Sequence, residues 1–185
     1  MIYLSQIGIK TYNYYWNRTE QTGVSYEELA TVGVIKDDIL VKEICAKAIM
    51  TANEKLKNLG YCLIIKEGYR SPEMYQLIYD KRVVKFGKTQ TDQLLNMKNM
   101  PHSTGLVIDA VLWDLKNNCT VEMYKHEHGA DAFFYSFYKD NPKKDTGDYL
   151  KKQTLLIDTM LNSGFTLGSK GEFFHFELND SEPIT

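Results

Sequence analysis

The chain has 185 residues, 43% of them apolar, with 22 basic and 24 acidic side chains and a formal charge of −2. This length fits one domain with enough apolar side chain for a core. No basic stripe supports a nucleic-acid partner, and no apolar run approaches membrane-spanning length. Cys45, Cys62 and Cys119 are odd in number, widely spaced and form no C-x-x-C pair. That argues against a disulfide framework or a cysteine-rich metal site. Reduced thiols suit a cytosolic compartment. The N-terminal MIYLSQIGIK lacks a basic segment leading into a long apolar run, so the expected localisation is cytoplasmic.

In chain order, residues 1–36 read as an irregular N-terminal arm with short strands. Asp37 and Asp38 offer an N-cap for a helix carrying Val41, Ile44, Cys45, Ala48, Ile49, Ala52, Leu56 and Leu59 on one face, with Gly60 past its end. Tyr61 to Lys66 is a short apolar run suited to a buried strand. Ser71 and Pro72 read as N-cap and first residue of a second helix reaching about Phe86. A further helical piece is expected over roughly Thr91 to Asn99. Leu106 to Trp113 is a strand, Lys116-Asn117-Asn118 a turn, and Cys119 to Met123 the returning hairpin partner. Residues 124–147 are polar and irregular, apart from an aromatic cluster between Phe133 and Tyr138. Asp148 opens a third helix that Gly164 ends, and Glu172 to Leu178 forms the last strand. The order departs from strict βαβ alternation. It predicts a single α+β domain, 1–185, with helices packed on a small, mainly antiparallel sheet.

Three short segments carry chemistry. In the first, His102 sits at the mouth of the predicted strand and Asp109 lies inside it, among Val107, Ile108, Ala110 and Val111. A carboxylate in so apolar a strand is costly unless it is paired, held by donors or bound to a metal. The second is Glu172-Phe173-Phe174-His175. Residues three apart face opposite sides of an ideal strand, so both reach one site only if the strand twists, bulges or ends there. The third is Glu67-Gly68-Tyr69-Arg70, where Arg70 is a surface residue, an ion-pair partner or a fixed cation aimed into a cleft. Taken together they form a set. His102, Asp109 and His175 supply two imidazoles and a carboxylate for one zinc ion with an open position. Glu172 is left over as a general base, and Arg70 as a donor to a developing oxyanion. Glu67 and Tyr69 are candidate substrate contacts. His126-Glu127-His128 lacks the helical H-E-x-x-H spacing and reads as a solvated loop.

His102…Gly105…Asp109 followed by Glu172-x-x-His175 resembles the zinc D,D-peptidases, and within them the VanX-type D-alanyl-D-alanine dipeptidases. The likeness extends to Tyr14-Tyr15-Trp16-Asn17 through Thr22-Gly23, to Leu59-Gly60-Tyr61, to Gly68-Tyr69-Arg70 and to Met160 through Phe165. It implies zinc on His102, Asp109 and His175, Glu172 as catalytic base and Arg70 as transition-state stabiliser. It also implies a confined pocket for a D,D-dipeptide, with Asp114 to Gly147 as lid or wall. Departures are Ser71 between Arg70 and Pro72, a spelling that also resembles D,D-carboxypeptidases. Met100 and Pro101 replace substrate-binding serines, and Phe173 and Phe174 replace tryptophans. The substrate ammonium would fall to His128 by direct count or to Asp131 with an insertion; the carboxylate is preferred. The expected function is therefore zinc-dependent hydrolysis of D-alanyl-D-alanine or a similar dipeptide, with no nucleic-acid, membrane or protein partner. The alternatives are a zinc D,D-carboxypeptidase that trims peptidoglycan stem peptides, a non-catalytic zinc recognition module like Hedgehog signalling domains, and a metal-free domain.

Overall fold

The computed structural model describes residues 1–168 and 170–179. The 1–36 segment is more ordered than an irregular arm. It holds strand β1 (Ile2–Tyr3), strand β2 (Lys10–Thr11), and helices α1 (Thr19–Thr22) and α2 (Tyr26–Thr31). Helix α2 starts at a capping box that pattern reading passed over. Glu28 N donates to Ser25 Oγ at 3.2 Å and Ser25 N to Glu28 Oε2 at 2.9 Å.

Asp37 and Asp38 do not cap the next helix. Asp38 is buried and accepts from the backbone N–H of Ser5 and of Ile39, from the Ser5 hydroxyl, and from Lys36 at 3.0 Å. It thus pins the N-terminus onto strand β3 (Leu40–Val41), which pairs antiparallel with β1. Helix α3 (Glu43–Lys57) begins only after β3, with Lys42 at a cap position that makes no side-chain bond. Cys45, Ala48, Ile49, Ala52 and Leu56 are buried as their spacing predicts, whereas Leu59 lies beyond the helix and is exposed.

Strand β4 (Tyr61–Glu67) leads through Gly68 into helix α4 (Pro72–Phe86), where Ser71 Oγ accepts from Met74 N at 3.1 Å, the expected cap. Helix α5 (Lys88–Leu94) comes earlier than expected and stops short of Asn99. Gly87, at φ 80°, separates it from α4. Strand β5 (Val107–Asp114) buries Ile108, Ala110 and Leu112 completely and leaves the odd positions Asp109, Val111 and Trp113 half-buried. Its hairpin partner β6 (Cys119–Thr120) is only two residues long. After short 3₁₀ turns and helix α6 (Ser136–Asp140) comes helix α7 (Tyr149–Leu161). Asp145, not Asp148, accepts from the first backbone N–H groups of α7; Asp148 is in the left-handed region. Strand β7 (Phe165–Leu167) was not anticipated, and strand β8 (His175–Leu178) is shorter than the predicted Glu172–Leu178.

The main sheet runs β2-β4-β5-β8-β7, with β6 beside the far end of β5. Its pairings are antiparallel except β2 with β4. This is the α+β architecture, with α3 and α7 covering one face. Leu63, Ile65, Ile108, Ala110, Leu112 and Phe176 meet the helices there in one continuous core. The ends of β4, β5 and β8 carry the polar residues.

A single buried amide ties helix to sheet. Asn53 Oδ1 on α3 accepts from Leu63 N on β4 at 2.8 Å. Asn53→Ala leaves that N–H unsatisfied, and urea unfolding is expected to report a loss of about 1–3 kcal/mol.

Candidate metal centre

Asp109 on β5 pairs directly with His175 on β8 and, on the other side, with Glu67 on β4. A register shift between Ile65 and Glu67 marks a bulge at that end of β4. His102 enters from the 3₁₀ turn Pro101–Thr104 just before β5. Asp109 Oδ1 lies 2.8 Å from His175 Nδ1 and 3.7 Å from His102 Nε2. One donor atom from each of the three side chains falls within 4.8 Å of the others.

The imidazoles are held in orientation. His102 Nδ1–H donates to the Gly68 carbonyl at 2.9 Å, which leaves its Nε2 lone pair facing Asp109. The His102 backbone is tied twice more: its N–H donates to Tyr75 Oη at 3.0 Å, and its carbonyl accepts from Arg70 N at 3.2 Å. His175 packs closely against Gly168, where an added Cβ would stand 2.2 Å from His175 Cδ2. Its Nε2 faces Glu177 at 3.6 Å.

The electrostatics suit a cation. Burial, helped by Arg70 and His175, pushes His102 down to about 3 against the pull of Asp109, so its imidazole is neutral at neutral pH. Burial disfavours the Asp109 charge, yet His102, His175 and Arg70 together hold it below the usual carboxylate range. For His175 burial works against protonation, but the hydrogen bond and charge of Asp109, aided by Glu172 and Glu177, outweigh it and raise its pKa. Two imidazoles and one carboxylate, with one ligand pre-neutralised by burial and a negative charge fixed among them, match the donor set of a catalytic metal site.

Glu172 reaches the same cleft because β8 has not yet begun there. It forms an isolated bridge with Phe134, while Phe173 N donates to the Phe133 carbonyl and Tyr135 N to the Gly171 carbonyl, both at 2.9 Å. Strand termination thus answers the opposite-faces problem of residues three apart. Burial, with the charge of Asp109, raises the Glu172 pKa against the opposing pull of His175 and Lys170. Arg70 is buried, pairs with Glu67, and lies over the Tyr75 ring at 4.6 Å and the Tyr15 ring at 5.4 Å. Arg70, His102, Asp109, Glu172 and His175 all line one cleft of about 340 Å³.

Other sequence candidates lie elsewhere. Glu67 and Tyr69 line a second cavity of about 180 Å³, which has Arg70 as its shared wall with the metal cleft. Asp131 is exposed on the 3₁₀ turn Ala130–Phe133 and does not line the cleft. His128 is engaged with the Tyr138 hydroxyl at 3.0 Å, and His126 and Glu127 are exposed. Sequence reading missed Gly68, Tyr75 and Gly168 as supports, and Asn96, Asn99, Lys170 and Glu177 as cleft lining. The available signal was weak: Tyr75 lies one turn into a helix whose cap was evident, and the glycines read only as turns.

No protein-family model matches the chain, and no curated protein does. Solved structures do. The LdcB LD-carboxypeptidase, described in terms of its peptidoglycan recognition, aligns with a TM-score of 0.51 at 20% identity, covering 77% of this chain and 60% of its own. The two chains share a fold. The chain therefore spans 60% of the LdcB length it is matched against. The D,D-pentapeptidase VanY from a VanB-type resistance cassette, in complex with Zn(II), aligns at 0.47 and 15% identity over 75% of this chain and 72% of its own. The L,D-carboxypeptidase DacB of Streptococcus pneumoniae aligns at 0.46 and 16% identity over 75% of this chain and 66% of its own. The VanY and DacB scores are too low to carry an argument.

Two substitutions test the centre. His102→Ala is expected to abolish tight binding of one zinc equivalent. Gly168→Ala, which crowds His175, is expected to weaken it about 10–100-fold, the range seen when a ligand's support is lost. Titration against a chromophoric chelator reads both.

Proposed function

We propose that the chain is a zinc-dependent carboxypeptidase acting on short peptides of the peptidoglycan stem type. The observation that carries this reading is the convergence of His102, Asp109 and His175 with Glu172 and Arg70 on one cleft. A structural metal site needs neither a non-ligating carboxylate nor a buried guanidinium beside it, so the set favours hydrolysis over a recognition module. The fold shared with LdcB, a peptidoglycan LD-carboxypeptidase, supports the same class.

Zinc held by His102, Asp109 and His175 would supply Lewis acidity for the scissile carbonyl and for the attacking water. Glu172, made more basic by burial, takes a proton from that water and returns it to the leaving amine. The Arg70 guanidinium, fixed by Glu67 and the ring of Tyr75, donates to the oxyanion as charge develops on it. Glu67 acts through Arg70: without it the guanidinium has no fixed partner in its buried position.

A carboxypeptidase is preferred over the dipeptidase first expected. A free dipeptide brings an ammonium that a closed pocket must meet with a carboxylate. Asp131 sits outside the cleft, and His128 is spent on Tyr138. Glu177 does line the cleft, but it faces His175.

Two measurements test the reading. Glu172→Gln should keep one zinc per chain and lose turnover by about 10²–10⁴-fold. N-acylated peptides ending in D-Ala-D-Ala or L-Xaa-D-Ala should release D-Ala faster than free D-Ala-D-Ala is split. Cleavage confined to the free dipeptide restores the dipeptidase reading, and zinc binding with no hydrolysis of any of these peptides favours a recognition module.

A further inference from the structure

A ring nitrogen that binds a metal must be free of hydrogen, and a neutral imidazole carries its one hydrogen on the other nitrogen. For His102 the arrangement is plain: Nδ1–H donates to the Gly68 carbonyl, and Nε2 faces Asp109. His175 is turned the other way round. Its Nδ1 lies 2.8 Å from Asp109 Oδ1, the oxygen that His102 Nε2 also faces, so Nδ1 is the nitrogen on the side of the three donors. A hydrogen left on Nδ1 would be held by Asp109 and would stand where the metal has to bind. The metal-binding form of His175 therefore carries its hydrogen on Nε2, and that N–H wants an acceptor behind the ring. The group that Nε2 faces is the Glu177 carboxylate, at 3.6 Å.

We propose that Glu177 is the positioning residue of His175: its carboxylate accepts the Nε2 hydrogen and so leaves Nδ1 bare for zinc. This inference rests on the candidate metal centre. Glu177 lies two residues beyond His175 on β8, so both side chains leave the strand on the same face, and both line the cleft. Its backbone is fixed from both sides. It pairs with Val107 on β5 and Thr166 on β7, and its carbonyl accepts from Thr166 Oγ1 at 3.1 Å. Its side chain is 40% exposed, against 15% for His175, which leaves the carboxylate room to move. A shift of about 1 Å or less brings the 3.6 Å separation to hydrogen-bond length. With Gly168 close against Cδ2, Asp109 at Nδ1 and Glu177 at Nε2, the ring is held on three sides. The other carboxylates of the cleft already have tasks, Asp109 among the donors and Glu172 as the base assigned above. Each imidazole thus has its own acceptor behind it, a backbone carbonyl for His102 and a carboxylate for His175.

The test is made on the full chain with zinc alone as probe. Glu177→Met keeps the length of the side chain and removes the acceptor, and should weaken binding of one zinc equivalent about 10–100-fold. Glu177→Gln keeps an acceptor oxygen without the charge, and should bind closer to the parent than to Glu177→Met. All three chains should unfold at the same urea concentration before zinc is added. In imidazole 15N spectra of the zinc-loaded parent, His175 should carry zinc on Nδ1 and hydrogen on Nε2. Zinc on Nε2 of His175 overturns the proposal, and so does a Glu177→Met chain that binds zinc as tightly as the parent. Glu177→Gln binding as weakly as Glu177→Met would reduce Glu177 to a through-space charge and overturn its role as acceptor. A lower urea midpoint for zinc-free Glu177→Met would make the loss one of folding and overturn the positioning role as well. A parent that binds no zinc overturns the candidate metal centre itself, and this assignment with it.

Discussion

One transverse row of the sheet governs this site: Glu67 on β4, Asp109 on β5 and His175 on β8, paired residue to residue. Side chains alternate along a strand, so Asp109 and His175 of this row reach the cleft on one face while Ile108 and Ala110 go to the core on the other. A slip of one residue in either pairing would bury Asp109 against α3 and α7 and carry an apolar residue into the cleft. The complete burial of Ile108, Ala110, Leu112 and Phe176 makes that slip costly. The hydrophobic face therefore enforces the polar one. The bulge near Glu67 re-aims the chain at the point where β4 must give way to the turn that presents Arg70.

The other half of the centre hangs on that turn. The Gly68 carbonyl fixes the His102 ring, Arg70 N holds the His102 carbonyl, and Tyr75 Oη reaches His102 N from α4. Gly68 is irreplaceable for a local reason: a Cβ there would come within 2.5 Å of Ile39 Cγ2 and 2.8 Å of the Leu40 carbonyl oxygen. β3 presses on the turn from behind, and Asp38 in turn holds β3 to the N-terminus. The N-terminal segment is thereby part of the support behind His102.

Much of this was legible in the sequence. The apolar run Leu106–Trp113 marked Asp109 as a carboxylate in need of a partner, and the Ser71-Pro72 start of α4 was read from a cap with a local mechanism. His102, Asp109, His175, Glu172 and Arg70, far apart in the chain, line one cleft. What escaped was non-local. An aspartate that caps a helix and one that accepts from a backbone thirty residues away carry the same local signature, so Asp38 was misread. Helix α7 does open after Asp148, with Asp145 supplying the carboxylate that accepts from its first N–H groups. α5 was displaced because Gly87 acts as a break that apolar spacing does not register. Asp131 was placed by analogy of charge alone, and the exposed turn around it provides no path to the cleft. Glu177 carried no pattern of its own, and is singled out only when the fold shows which nitrogen of the His175 ring faces Asp109.

The candidate metal donors and the proposed base are anchored in different kinds of structure. Asp109 and His175 belong to regular strands, while Glu172 is set by backbone bonds to Phe133, Phe134 and Tyr135, inside the irregular 124–147 segment. The two are separable in evolution. On the function proposed above, drift in that segment would displace the carboxylate and leave the candidate donors on the sheet unaltered, so that hydrolysis would be lost and metal binding kept. The inverse route, acquiring catalysis on an inherited metal module, would need only the same few backbone contacts.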